Sequence, residues 1–279
     1  MSKTAPEVAR RLAEETAAKY AAHDEVEAVA LSGSLAAGED DAADAVSDID
    51  LYVYLNAELP MAARAEIAWA SASYAEVGNT YWESGDEWIC EDSEAHIDVT
   101  FRATDWIVDQ VARVLERHEA SVGYTTCLWH NVLVSVPLFD RSGWFERLQQ
   151  AAQRPYPPQL QHAIVIRNHP ILRETASSYR YQIAGAVRRT DRVSINHRVA
   201  ALLASYFDIV FAVNELPHPG EKRLVQLAVA RCDKLPEDMA AHLEALIGVV
   251  AADGDVLACV DALIDGLDAL LQAERLLRG

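Results

Sequence analysis

The 279-residue sequence lacks the features that mark membrane, secreted and disulfide-stabilised proteins. No apolar run is long enough to form a membrane-spanning helix, which needs about 20 residues. The N-terminal stretch MSKTAPEVARRLAEETAAKY reads as an amphipathic helix without the apolar region of a signal peptide. The four cysteines are scattered without a C-x-x-C pair, which favours free thiols. We therefore expect a cytoplasmic globular protein with no membrane partner.

Positive charge is scarce and unevenly distributed. The chain has 24 Lys and Arg against 43 Asp and Glu, a net charge of −19. Residues 1–150 hold 10 basic against 28 acidic residues, whereas residues 151–279 hold 14 against 15. Nucleic-acid binding requires a basic surface, so we expect no nucleic-acid partner. The charge asymmetry predicts two domains, residues 1–153 and 154–279, with the Pro-rich stretch RPYPPQ as the linker.

Hydrophobic periodicity predicts the order of helices and strands. The strand-like segments are 26–31, 48–55 and 96–102, with 81–90 read as either a strand or a lid. The first helix-like segments are 6–22, 60–77 and 105–117. After the linker every segment reads as helix, with breaks at 217–220, Pro236 and Gly254. We therefore expect an α/β domain with a short mixed sheet, followed by an all-helical C-terminal domain.

Two aspartates stand one residue apart at the start of the second predicted strand, DIDLYVYL. Residues i and i+2 of a strand share a face, so Asp48 and Asp50 should point the same way while Ile49 and Leu51 enter a core. Carboxylates this close repel each other, and a divalent cation would compensate the repulsion. Mg²⁺ takes one or two carboxylates together with substrate phosphates. An edge strand with two solvated aspartates is the alternative interpretation.

A turn of small residues precedes this strand. Gly33 allows the backbone to approach a phosphate, and the Ser34 hydroxyl and a following helix N-terminus can bind phosphate oxygens. Gly33 and Gly38 have the G-x-x-x-x-G spacing of a P-loop. Glu39 and Asp40 stand where that motif requires Lys and Ser or Thr, which excludes it.

The Gly-Ser turn, the spacer and the Asp-Ile-Asp strand together resemble the signature of the DNA polymerase β-type nucleotidyltransferases. That family has a third carboxylate on a later strand, and Asp98 in HIDVTF matches it. The resemblance covers residues 25–102. It implies that residues 1–153 form the catalytic domain, in which two Mg²⁺ ions accompany the bound NTP. The implied catalytic and metal-binding residues are Asp48, Asp50 and Asp98, and the implied nucleotide-binding residues are Gly33 and Ser34.

The later stretch FAVNELPHPGEKRL resembles the C-terminal helical segment of small bacterial nucleotidyltransferases, which include relatives of the aminoglycoside and lincosamide enzymes. This resemblance implies that Lys222 faces the triphosphate. The implied reaction transfers a nucleotide from an NTP to a hydroxyl of a small-molecule acceptor and releases pyrophosphate. ATP is the expected donor, so AMP is the group that is transferred. A cationic or sugar-containing antibiotic would be such an acceptor, and the protein would act as a monomer or homodimer.

The segment 76–92 is both acidic and aromatic. Acidic groups between tryptophans suit a cationic or sugar-like acceptor, and Glu83, Asp86 and Glu87 are the candidates. The general base could be Glu83, Glu87 or Asp98. A solvated acidic loop anchored by Trp residues explains the same composition equally well.

Two other functions agree with the sequence. The first is a protein- or RNA-modifying nucleotidyltransferase of the toxin–antitoxin type. The second is a catalytically silent, nucleotide-binding regulatory module. The acidic surface favours a small-molecule acceptor over RNA, and the intact set of carboxylates favours an enzyme over a silent module.

Lys222→Ala tests the resemblance in the helical region. A Lys offers three donors and a full charge to phosphate oxygens, so its loss should weaken NTP binding by about 1.5–3 kcal/mol. We expect a higher KM for NTP, an unchanged KM for the acceptor and an unchanged melting temperature without nucleotide. Steady-state kinetics of pyrophosphate release measures both constants. Normal NTP use by this variant would instead point to the basic residues between Arg167 and Arg198.

Overall fold

The computed structural model describes residues 6–36, 48–251 and 254–277. The strands are β1 Val26–Leu31, β2 Ile49–Leu55, β3 Ala72–Asn79, β4 Gly85–Cys90, β5 His96–Ala103 and β6 Val136–Asp140. The first helices are α1 Pro6–Ala21, α2 Gly33–Ala36, α3 Met61–Trp69, α4 Thr104–Leu115, α5 Cys127–Val134 and α6 Trp144–Ala152. The later helices are α7 Pro158–Arg173, α8 Tyr179–Arg188, α9 Arg192–Val213, α10 Leu224–Arg231, α11 Met239–Ala251 and α12 Val256–Ala273.

The strands of the described residues form one six-stranded sheet with the order β3-β4-β5-β2-β1-β6. β2 and β5 are parallel, and the other neighbouring pairs are antiparallel. Parallel neighbours need a long crossover, and here α3 and the β3–β4 hairpin lie in the chain between β2 and β5. The expected α/β domain with a mixed sheet is therefore confirmed, and so is the all-helical region that follows it.

One face of the central strands is packed in a core, which explains the alternating sequence pattern. Ile49 and Leu51 of β2 are buried, as are their neighbours Ile97 and Val99 on β5. These side chains belong to one cluster with the buried alanines of α1 and with Ile67 of α3. The prediction that Ile49 and Leu51 enter a core is confirmed, and every second residue points to the other face.

The predicted helix over residues 60–77 is wrong in its second half. α3 ends at Trp69, and Ala72–Asn79 forms β3, which pairs with β4 in a hairpin. Gly78 has φ 81, a left-handed conformation that a continuing helix would not contain. Hydrogen bonds to a neighbouring strand outweigh a helical pattern of this length, because β-structure depends on tertiary partners. For residues 81–90 the strand alternative is confirmed over Gly85–Cys90.

The chain divides into two compact units. The first takes the chain up to Val111 together with Asn131–Arg154, and the second takes Ala112–His130 and the chain from Pro155. Residues 112–130 lie within the expected first domain in sequence but cluster with the later helices in space. The two-domain division at 153 and 154 therefore stays a prediction.

The second unit is built around α9. Its side chains are buried from Ser205 to Val213 and join residues of the other C-terminal helices in one core cluster. The predicted helix breaks at 217–220, Pro236 and Gly254 all fall between helices. Ion pairs also hold these helices together, since Arg173 contacts Asp265 at 2.6 Å and Arg180 contacts Asp261 of the same helix, α12. Arg173 and Arg180, which lie between Arg167 and Arg198, thus have partners within their own unit.

The structure also bears on the membrane and thiol predictions. None of the described helices is both long enough and apolar enough to cross a bilayer. The four cysteines are free, and Cys90 and Cys232 are buried. Burial raises the pKa of the Cys127 thiol to about 12, so it stays protonated at neutral pH.

A buried carboxylate connects three segments of the second unit. Asp208 of α9 accepts hydrogen bonds from the Thr125 amide at 3.0 Å, the Thr125 hydroxyl at 2.6 Å and Asn168 Nδ2 at 3.2 Å. Burial raises the pKa of Asp208 to about 6, although the donated hydrogen bonds act to lower it. An unfolded Asp has a pKa of about 3.9, so between these values the folded state holds a proton that the unfolded chain has released.

The stability of the second unit should therefore fall as the pH rises from 4 to 6.5. In this window the unfolded state binds fewer protons at Asp208, and ionisation in the folded state costs at most about 3 kcal/mol. We expect Asp208→Asn to lose this pH dependence, so that the wild type becomes less stable relative to the variant as pH rises. Denaturant unfolding at several pH values measures the difference. A constant difference would contradict the raised pKa.

Candidate functional site

Asp50 and Asp98 are direct neighbours on one face of the sheet. The parallel β2–β5 ladder pairs Asp50 with Asp98, and both residues are half-buried. Their sequence neighbours Ile49 and Ile97 are buried on the opposite face. Adjacent strands lie about 4.8 Å apart, so the register brings two of the three predicted carboxylates side by side.

The same register continues across two further strands. Glu87 of β4 lies opposite Asp98, and Glu76 of β3 lies opposite Glu87. Glu76, Glu87, Asp98 and Asp50 thus form one line across four strands on one face, which we call the acidic row. Glu87 is one of the acidic candidates expected from the sequence, whereas Glu76 is not, because pairing between strands is not visible in the local pattern.

The turn after β1 brings Gly33 against the carboxylate of Asp50. The Ser32 amide donates to the Asp50 carbonyl at 2.8 Å. A Cβ atom on Gly33 would lie 1.8 Å from Oδ2 of Asp50, and Gly33 has φ 63, so only glycine fits. Ser34 follows in α2 and is half-buried. Gly38, Glu39 and Asp40 of the predicted spacer lie outside the described residues.

Polar contacts support this turn from α5. The hydroxyls of Ser32 and Ser135 are 3.2 Å apart, and Ser135 donates to the Asn131 carbonyl at 2.6 Å. Asn131 Nδ2 donates to the hydroxyl of Tyr52 at 3.2 Å. Tyr52 lies two residues after Asp50 on the same face of β2. No sequence signal pointed to Ser135 or Asn131, which are about 100 and 80 residues from their partners.

Asp48 lies just before β2, and its side chain is exposed. Its Oδ1 is 3.1 Å from Nδ1 of His96, the first residue of β5. Nε2 of His96 is in turn 3.6 Å from Oε2 of Glu87. The third predicted carboxylate is therefore next to the acidic row and in contact with a histidine.

Glu83 and Asp86 each bind a buried arginine. Glu83 forms two hydrogen bonds with Arg102, at 2.7 and 2.9 Å, and the Arg102 guanidinium lies 4.0 Å from the ring centre of Tyr52. Burial acts against the Arg102 charge, but the hydrogen bond to Glu83 raises its pKa above the ordinary value. Asp86 is fully buried and binds Arg64 at 2.6 and 3.0 Å. These contacts hold the sheet together, and an acceptor-binding role for Glu83 stays a prediction.

The two tryptophans of this segment are far from equivalent. Trp88 is 1% exposed in the core, on the face opposite Glu87, whereas Trp82 is 95% exposed at the tip of the β3–β4 hairpin. Trp88 therefore forms no aromatic wall beside the acidic groups, and Gly85–Cys90 is a strand and not a solvated loop. Acceptor binding by the acidic groups stays a prediction. Alternation along β4 separates Glu87 from its neighbours Asp86 and Trp88.

Asp50 and Asp98 fit a Mg²⁺ ion whose remaining ligands would be water and substrate oxygens. Among residues 6–36, 48–251 and 254–277, no three His, Cys, Asp or Glu side chains converge in a way that could hold a metal ion. Mg²⁺ binds proteins through one or two carboxylates and fills its shell with water and phosphate oxygens. Asp50 and Asp98 supply two hard oxygen donors in register, which matches that requirement.

Lys222 belongs to the second unit, where it is exposed just before α10. The preceding turn is well fixed, since Gly220 has φ 107 and its amide donates to Nδ1 of the buried His218 at 3.1 Å. A turn and helix start are thus present at the predicted place. The role of Lys222 toward a triphosphate stays a prediction.

The fold and site define an α/β protein with paired carboxylates on one sheet face and a helical C-terminal region. No family model matches the sequence, and no curated protein matches it. Among solved structures, the chain is similar to a nucleotidyltransferase-like protein from Exiguobacterium sibiricum 255-15. The identity is 12%, the match covers 95% of this chain and 75% of that chain, and the TM-score is 0.44.

Gly33→Ala tests the contact between the turn and Asp50. The new Cβ would displace the Asp50 carboxylate, and a left-handed alanine is strained, so we expect about 1–3 kcal/mol lower unfolding free energy. Denaturant unfolding measures the loss. Gly248→Ala in α11 is the matched control, because a Cβ there meets nothing within 4 Å and should stabilise the helix. Equal stability of the two variants would contradict the close approach.

Proposed function

We propose that this protein is a metal-dependent nucleotidyltransferase that transfers a nucleotide from an NTP, with ATP as the donor, to a hydroxyl of a small-molecule acceptor. One observation carries the proposal: the β2–β5 ladder sets Asp50 opposite Asp98, and the Gly33 backbone lies against Asp50. Two like charges in register destabilise a sheet, and a bound cation would remove that cost.

In this reaction the protein has to position the acceptor hydroxyl and the α-phosphorus, and it forms no covalent bond with the substrate. The acceptor oxygen attacks the α-phosphorus, the bond from phosphorus to the bridging oxygen breaks, and pyrophosphate leaves with the electron pair. Asp50 and Asp98, with Asp48, would hold the Mg²⁺ ions, which when bound neutralise phosphate charge and lower the pKa of the attacking hydroxyl. The Gly33 backbone and the Ser34 hydroxyl would contact phosphate oxygens.

A base must take the proton of the acceptor hydroxyl. Glu87 is better supported than Glu83, because Glu87 lies opposite Asp98 in the acidic row while Glu83 binds Arg102. Asp98 itself remains the second candidate. Either carboxylate would have to lie within hydrogen-bond reach of the hydroxyl, at about 2.6–3.2 Å.

The acidic row favours a cationic acceptor. Four carboxylates on one sheet face create a negative field that attracts amines. Tyr74 and Ile89 pair with each other next to the row, and they are 57% and 38% exposed. An acceptor with both amino groups and an apolar body would match this surface, and aminosugar antibiotics have that chemistry.

Asp50→Asn and Asp98→Asn test the transfer site. Each substitution removes a metal ligand, so we expect pyrophosphate release to fall at least about 100-fold. The loss of one like charge should leave the melting temperature of the metal-free protein no lower than that of wild type. The assay incubates the protein with each NTP and Mg²⁺, and screens aminosugars, polyamines and neutral sugars as acceptors.

Nucleotide binding gives a readout that needs no acceptor. Mg²⁺–ATP should raise the melting temperature of wild type, since it binds only the folded state, and EDTA should remove the shift. Glu66→Gln is the matched control, because it removes an exposed carboxylate on α3 away from the site. Normal pyrophosphate release by both aspartate variants would sink the proposed function, and a shift independent of Mg²⁺ would favour a silent nucleotide-binding module.

A further inference from the structure

His96 lies between two acidic side chains of the candidate site. Its Nδ1 is 3.1 Å from Oδ1 of Asp48, and its Nε2 is 3.6 Å from Oε2 of Glu87. The shorter distance is a hydrogen bond, in which the Nδ1–H group donates to the carboxylate. The longer distance exceeds that of a hydrogen bond and places Glu87 next to the opposite edge of the ring.

Asp48 needs such a contact because the sheet does not hold it. The β2–β5 ladder begins with the pair of Ile49 and Ile97, one residue after Asp48. The Asp48 side chain is 50% exposed, so neither packing nor backbone pairing fixes its direction. Extending the register by one residue sets Asp48 opposite His96, which explains their contact.

Glu87 is held on one side by a long hydrogen bond from Asn79. It lies opposite Asp98 in the β4–β5 ladder, and its Oε1 is 3.4 Å from Nδ2 of Asn79. His96 is also half-buried in its own strand position, next to Ile89 of β4. His96 therefore lies on a strand that is paired with β4, and its imidazole contacts Asp48 from that position.

We propose that His96 is a positioning residue, which keeps the Asp48 carboxylate beside the Asp50–Asp98 pair on the same sheet face, where Asp48 joins them as a ligand once metal and phosphate bind. The proposal rests on the proposed function, because it assigns Asp48 a ligand role in that site. Histidine acts here through Asp48 and does not touch substrate. Groups that orient a metal ligand commonly change metal affinity about 10- to 100-fold when they are removed.

Two near-isosteric substitutions of His96 test the Nδ1 contact to Asp48 and the Nε2 contact to Glu87 separately. The Asn amide nitrogen superposes on Nδ1 of histidine, and the Gln amide nitrogen superposes on Nε2. His96→Asn keeps a donor for Asp48 and loses the contact to Glu87, whereas His96→Gln does the reverse. We expect His96→Gln and His96→Ala to bind metal about 10- to 100-fold more weakly, and His96→Asn to stay close to wild type.

The measurement is Mn²⁺ binding in the presence of α,β-methylene-ATP, followed by the electron paramagnetic resonance of free Mn²⁺. This readout is independent of turnover and of the acceptor. His162→Ala is the matched control, because it removes an exposed histidine on α7. Melting temperatures of the metal-free variants separate lost positioning from lost folding, and we expect all of them to be close to wild type.

Each result decides between the two proposals. Weak binding by His96→Gln with near-normal binding by His96→Asn supports the positioning role. Equal affinity of wild type, His96→Gln and His96→Ala, with binding lost in Asp50→Asn, overturns the positioning role and leaves the proposed function intact. Equal weakening of all three His96 variants also overturns it, because the donor to Asp48 would then not matter. A wild type that binds no Mn²⁺ overturns both.

Discussion

The parallel ladder between β2 and β5 is the constraint on which the rest of the first unit depends. It buries Ile49 against Ile97 and Leu51 against Val99, and the period of two then forces Asp50 and Asp98 onto the other face. A slip of one residue would put carboxylates into the core and isoleucines into the site. Core packing and site geometry are therefore set by the same register, and neither can change alone.

The acidic groups of this sheet lie in two different surroundings. Asp86 and Glu83 each have a buried arginine partner, which holds the β3–β4 hairpin to α3 and β5. The acidic row sets carboxylates opposite carboxylates across four strands, and like charges that lie directly opposite repel each other. Destabilising charge arrangements are a common property of binding and catalytic sites, and here the arrangement coincides with the Gly33 turn.

The central strands and the chemistry of their exposed face can be predicted from local sequence patterns. β1 has the predicted bounds Val26–Leu31, and the alternation along DIDLYVYL correctly sent Ile49 and Leu51 to the core. The sequence also predicts that a sheet-containing region is followed by a helical region, and it predicts the helix breaks in the C-terminal region. These features depend on interactions within a few residues, where periodicity and turn residues carry the information.

Which acidic residues lie together depends on the pairing of strands that are distant in sequence. Pairing between strands adds Glu76 and Glu87 to the row, takes Glu83 and Asp86 out of it, and brings His96 to Asp48. It also turned the end of a predicted helix into β3. The physical reason is that a strand gains its hydrogen bonds from a partner that is distant in sequence, so local preference does not specify its neighbours.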